Sequence, residues 1–150
     1  MSAPPRERAS DGLSMVVQSG DFDRVHYALV IAAAAAATNR PVTLFFTMGA
    51  LKALEATGAD GTPPWRAMAL SDGAGRGGAL DDSFRARGVA TFEELLTSCA
   101  AMGVHFLVCE MGLRAMALER SRLRADLPIE EGGVVTFLNG VTADGAVIFV

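Results

Sequence analysis

Two cysteines, Cys99 and Cys109, and two histidines, His26 and His105, are among the scarce reactive side chains of this 150-residue sequence. Cys109 stands apart from the rest. It follows the apolar run Val104-His105-Phe106-Leu107-Val108 and precedes Glu110-Met111-Gly112-Leu113-Arg114-Ala115-Met116, a stretch with helical character. A thiol between a buried strand and the start of a helix faces free N–H groups and the positive end of the helix dipole. Both favour the thiolate, which is the reactive form. The competing reading is inert packing, since free cysteine is among the most buried residue types. Cys99 falls in an expected helix one layer from that strand end, so no structural disulfide is expected. Neither cysteine has C-x-x-C spacing or a Cys/His metal pattern around it.

The remaining chemistry is thinner. His105 precedes Cys109 by four residues in a strand, on the same face but roughly 13 Å away, so it is no direct partner of the thiol. Packing or hydrogen bonding accounts for it. His26, near the start of a helix, is closer to the thiol's end of the fold and is a weak candidate for a general acid or base. Glu110 adjoins the thiol and would oppose a thiolate if its carboxylate turned inward. Asp81-Asp82 and Glu130-Glu131 are adjacent acids in loop contexts, with neither glycosidase nor metal-binding logic. Gly73-x-Gly75-x-Gly77-Gly78 has no strand before it and no Gly-Lys-Ser/Thr after it, which argues against a phosphate loop.

Strands and helices must position these residues. Leu13–Val17 reads as a strand, and Gly20-Asp21 as the turn into a helix from Phe22 to Thr38 that Asn39-Arg40-Pro41 stops. The alanine run Ala32 to Ala37 lets that helix lie close to a sheet. Val42–Phe46 is apolar on both faces, as a buried parallel strand should be, and a short helix begins at Met48. From Gly58 to Gly88 glycines and prolines break every period, which predicts a long loop, with Trp65, Met68 and Leu70 as apolar anchors. Thr91 and Glu94 form a Thr-x-x-Glu capping box for a helix from Phe92 to Met102. A strand over 104–108, a helix-rich segment from Met111 to about Leu123, a helix over 134–141 and a strand over 146–150 complete the order. The alternation predicts an α/β fold with a mostly parallel sheet covered on both sides.

Ligands of such sheets bind beyond the carboxyl ends of the strands. That rule gathers Gln18-Ser19-Gly20, Thr47-Met48-Gly49 and Cys109-Glu110-Met111 on one rim. The candidate substrate-binding residues are therefore Ser19, Gly20, Thr47, Met48, Gly49, Glu110 and Met111, around Cys109 as the catalytic one. The long loop could fold back so that Trp65, Arg76, Arg85 or Arg87 covers the thiol.

Composition narrows the function classes. Hydrophobic residues make up 51% and charged ones 20%, enough apolar surface for one large core. With a net charge of −4 and no long basic run, the chain is not expected to bind nucleic acid. The apolar stretch Val25 to Ala37 is too short to span a bilayer, and the first residues lack the apolar core of a secretory signal. A cytoplasmic protein is expected, with residues 1–12 as a disordered tail and 13–150 as one domain.

Several segments, taken in order, resemble the DsrE/DsrF-like (DsrEFH) sulfur-relay family. They are Ser19-Gly20-Asp21, the alanine-rich helix, Phe45-Phe46-Thr47-Met48-Gly49, the run from Gly103 to Met111 with Met116, and Gly132-Gly133-Val134-Val135-Thr136-Phe137-Leu138. The resemblance covers roughly residues 13 to 150. It implies a three-layer α/β/α sandwich with about five parallel strands, homo-oligomers (trimers or hexamers), and a cysteine that carries sulfur as a persulfide. Cys109 matches that cysteine, in a pattern close to Cys-x-Met-Ser-Met-x-x-Met-Gly. Met111 and Met116 are kept, while Gly112 replaces the serine, Leu113 the next methionine and Ala117 the glycine.

The leading expectation is a sulfur carrier or sulfurtransferase acting through Cys109, with sulfur donor and acceptor proteins or small thiols as partners. It calls for no cofactor. The alternative is a non-enzymatic small-ligand or protein-binding module on the same rim, with Met48, Met111 and Met116 forming an apolar pocket. A thiol peroxidase is disfavoured, for want of a resolving cysteine and a Thr-x-x-Cys pattern.

Overall fold

The computed structural model describes residues 11–150. Of the expected tail, residues 1–10 lie outside the described part. Gly12 belongs to the body: its N–H donates to Thr142 Oγ1 and its carbonyl accepts from the Ala146 N–H.

Five parallel strands form one sheet: β1 (Leu13–Val17), β2 (Val42–Phe46), β3 (His105–Cys109), β4 (Ile129–Gly132) and β5 (Ala146–Phe149), in the spatial order β4-β3-β2-β1-β5. Five α-helices accompany them: α1 (Phe22–Ala37), α2 (Gly77–Ala86), α3 (Phe92–Ala101), α4 (Glu110–Ala115) and α5 (Val134–Asn139). The chain steps outward from β1 to β4, then recrosses the sheet through α5 to add β5 beyond β1. The result is a three-layer α/β/α sandwich.

The two sheet faces are unequal. Strand alternation sends Met15, Val17, Leu44, Phe46, Phe106 and Val108 to one face, where they meet Phe22, Val25, Leu29, Phe92 and Leu96 of α1 and α3. All of these are buried. The opposite face holds a small cluster of Phe45, Leu107, Cys109 and Phe137, with Val16 and Val141 packed against it. Its helical cover is α5, whose one buried residue is Phe137, stacked on Phe45 with ring centroids 5.1 Å apart.

Three sequence expectations need correction. Residues 58–88 are not one long loop, because a 3-10 turn at Pro64–Ala67 and the helix α2 at Gly77–Ala86 lie within them. Gly77 and Gly78 open α2 because they are packed: a Cβ at Gly77 would lie 2.6 Å from the Phe22 ring, and one at Gly78 2.9 Å from the Arg66 guanidinium. The region after Met111 is less helical than expected. α4 ends at Ala115, and β4 was missed since Ile129-Glu130-Glu131-Gly132 carries a single large apolar residue. The segment from Met48 to Leu54 is a 3-10 helix. The capping box formed as expected: the Glu94 N–H donates to Thr91 Oγ1 and the Thr91 N–H to Glu94 Oε2.

No helix among the described residues is long and apolar enough to cross a membrane.

Candidate functional site

The three strand ends meet as the parallel topology requires. Gly20 and Gly49 touch backbone to backbone, and a Cβ on Gly49 would lie 2.9 Å from the Gly20 Cα. Neither turn could close if residue 49 carried a side chain. Thr47 donates its N–H to the Val17 carbonyl at 3.0 Å, and Ala50 donates to the Gln18 carbonyl at 3.2 Å, which ties the second turn to the first. Ser19 Oγ accepts the Asp21 N–H at 3.1 Å and so shapes the turn into α1.

Cys109 ends β3 and caps α4. Its Sγ accepts the Gly112 N–H at 3.4 Å, so the sulfur sits where the sequence put it, against a free N–H of the first helical turn. The residue is only 2% exposed. Phe137, Leu107 and Phe45 share its cluster. Gly112 is held equally tightly: an added Cβ would lie 2.5 Å from Thr47 Oγ1, 3.0 Å from the Met48 N and 3.3 Å from the Cys109 Cβ. The serine that the resembling family carries there does not fit beside Thr47, and the glycine brings the β2 and β3 ends into contact. Glu110 is exposed, its side chain in solvent rather than turned into the thiol's buried cluster. Met111 is 54% exposed beside it.

Behind the rim, Met48, Leu51, Lys52, Glu55, Met116 and Leu118 enclose a cleft of about 140 Å³. Met48, which lines it, and Ala117, between the lining residues Met116 and Leu118, have φ of +51° each, a conformation that L-residues seldom adopt. Met111 does not line this cleft. Lys52, which lines it, is the sole lysine of the chain.

Cys99, buried like Cys109, lies in the opposite layer and away from any helix start. It is fully buried between α1 and α3, its Sγ lies 3.8 Å from the Leu29 carbonyl, and burial pushes its thiol up to about 11.

The histidines lie away from the thiol. His26 is buried among Phe22 and Phe84, with Nε2 2.8 Å from the Ala90 carbonyl, so it supports the loop before α3. His105 Nε2 lies 3.0 Å from Glu130 Oε2, linking β3 to β4. Trp65 does not cover the thiol either. It stacks on Phe22 and packs at a tilt against Phe92 on the opposite side of the sheet, and donates Nε1–H to Glu93 Oε1 at 2.8 Å. Arg76, Arg85 and Arg87 are exposed. Sequence reasoning missed Phe137 as a member of the Cys109 cluster, because one aromatic in a short apolar helix gives no hint of which strand it will overlie. Among the described residues there is no cluster of three or more potential metal ligands.

Comparison with protein-family models and with curated proteins gives no match. Among solved structures the chain is similar to MTH1491 from Methanobacterium thermoautotrophicum, itself described as a protein of unknown function. The TM-score is 0.55 at 14% identity, over 93% of this chain and 99% of that one. The likeness is one of fold.

Proposed function

We propose that the protein is a sulfur carrier or sulfurtransferase that holds sulfane sulfur as a persulfide on Cys109. The observation that carries the reading is the placement of Cys109 Sγ at the carboxyl end of β3, accepting the Gly112 N–H, while the second thiol is sealed in the core. A donor persulfide R–S–SH would be attacked at its outer sulfur by the Cys109 thiolate. The new S–S bond forms as the donor S–S bond breaks, and R–S⁻ leaves, giving Cys109–S–SH with no net oxidation. An acceptor thiolate then takes the outer sulfur and returns the Cys109 thiolate. One cysteine suffices.

The Gly112 N–H donates to the sulfur that starts and ends this cycle. Ser19, Gly20, Thr47, Met48, Gly49, Glu110 and Met111 form the surrounding rim, on which donor and acceptor proteins or small thiols would dock. Because Cys109 is buried, transfer requires α5 to lift Phe137 from it, and a six-residue helix with one buried side chain is a light cover. Homo-oligomers are part of this reading, supported by the exposed Val134, Val135 and Leu138 on α5. The reading assigns the reaction to the cytoplasm, where thiols stay reduced.

A second reading is favoured by the cleft between Met48 and Met116: a binding module whose Cys109 is only packed. Mass analysis after treatment with a sulfane-sulfur donor separates the two. Gain of one sulfur that is lost in Cys109→Ser and kept in Cys99→Ser supports the carrier. An unmodified wild type supports the binding module.

A further inference from the structure

The two edges of the sheet are protected very differently. β4 carries the exposed Glu130 and Glu131, and Arg120 donates to the Ile129 carbonyl at 2.7 Å. Charges on an edge discourage pairing with another chain. β5 is Ala-Val-Ile-Phe, with no charge and no proline. Ala146 and Val150 donate their N–H groups inward to the Gly12 and Val16 carbonyls. In an extended strand Val147 and Phe149 therefore direct theirs outward, with nothing of the described chain paired to that side.

Apolar surface lies exposed on both sides of this bare edge. Below it, Val147 and Phe149 are 55% and 68% exposed. Above it runs an open groove of about 570 Å³, floored by Leu13 and Ala146 and walled by Tyr27, Val30, Ile31 and Ala34 of α1. These four are a second stripe on α1, distinct from its buried face. Arg24, seven residues before Ile31, continues the stripe at one end, whereas Asp11 and Asp144, with Arg40, close the groove at the other.

We infer that β5 pairs antiparallel with β5 of a second copy of this chain, across a two-fold axis normal to the sheet. Val147 of each copy then lies opposite Phe149 of the other. The outward N–H and C=O groups of these residues bond reciprocally, and Ile148 faces Ile148 at the axis. A single operation covers Val147 and Phe149 on one face and the Tyr27 and Ile31 stripe on the other. It also brings Arg24 of each copy, which pairs with its own Asp21 at 3.6 Å, toward the end of the mate's groove where two acids, Asp11 and Asp144, stand beside one base, Arg40. The inference is independent of the role of Cys109.

The test is the mass in solution of the full chain, by light scattering or sedimentation velocity. A dimer, or a larger even-numbered assembly, is expected. Val147→Pro removes an outward N–H and leaves the bonds to β1 intact, and Ile31→Lys charges the groove. Each should raise the dissociation constant about tenfold or more and halve the mass, while Val135→Lys on α5 should leave this contact in place. Circular dichroism of each variant checks that it folds, and Ile31→Lys decides the matter if Val147→Pro does not. A wild-type monomer or odd-numbered assembly would overturn the inference. So would a mass that survives Ile31→Lys, or one split by Val135→Lys alone.

Discussion

Cys99 and Cys109 share a side chain and differ in what surrounds it. Cys109 has a backbone N–H on its sulfur and a thin cover, and Cys99 has a core around it. An alkylating reagent should label Cys109 in the folded protein at a rate set by local opening, and Cys99 only on global unfolding. Cys99 also makes a pH prediction. Its thiol, raised from 9.0 to about 11 by burial, stays protonated in the folded state after the unfolded chain has ionised. Stability from this group is full below pH 9 and is lost between pH 9 and about 11. At roughly 1.4 kcal/mol per unit the loss is on the order of 3 kcal/mol. Urea denaturation across that window checks it, and Cys99→Ala should flatten this component of the slope. Gly112→Ala should cost about 1–3 kcal/mol, since its methyl meets Thr47 and the Met48 backbone. A melting temperature that does not fall in that variant would contradict the contact.

At the scale of elements, α5 supplies Phe137, which shares the apolar cluster of Cys109. Phe137→Ala should destabilise by about 3 kcal/mol, near the low end for a buried aromatic since one side of its cluster is thinly covered. The same variant should raise the labelling rate of Cys109 and leave that of Cys99 unchanged while the fold persists. If the rates of both thiols rose together, α5 would not be a separate cover. The elements also mark what was legible in the sequence. β1, β2 and β3 are continuous apolar runs ended by turn residues, and the Thr91–Glu94 box announces α3, so the strand-end rim with Ser19, Thr47, Met48 and Cys109 could be placed. α2 could not be read, because its opening glycines are there to fit Phe22 and Arg66, a tertiary reason that local propensity cannot show. β4 is half glutamate and owes its strand to pairing with β3. Trp65 and His26 looked available for chemistry as isolated residues. Their places in an aromatic cluster depend on contacts across more than sixty residues for His26 and Ala90.

Across the whole molecule, the well-covered face supplies stability and the thinly covered face carries the thiol. The segment after α4 is fastened to the well-covered side by Arg124, which is 13% exposed and bonded to Glu93 at 2.9 and 2.8 Å and to Asp126 at 2.9 and 2.7 Å. Arg124→Met should cost about 1–3 kcal/mol in chemical denaturation. The bond from Arg124 holds Asp126 below the usual carboxylate range, so its contribution is present above the unfolded pKa and is lost as pH falls through the folded one. Asp126→Asn should therefore lose less stability than wild type on acidification. The same asymmetry of faces leaves the bare edge of β5 and the rim around Cys109 available for contacts with other chains. Sulfur transfer at this rim is read by intact-mass analysis and peptide mapping after exposure to a sulfane-sulfur donor. One added sulfur is expected, mapped to Cys109, removed by an acceptor thiol and absent in Cys109→Ser. A wild-type chain that gains no sulfur, or gains it on Cys99, would contradict it.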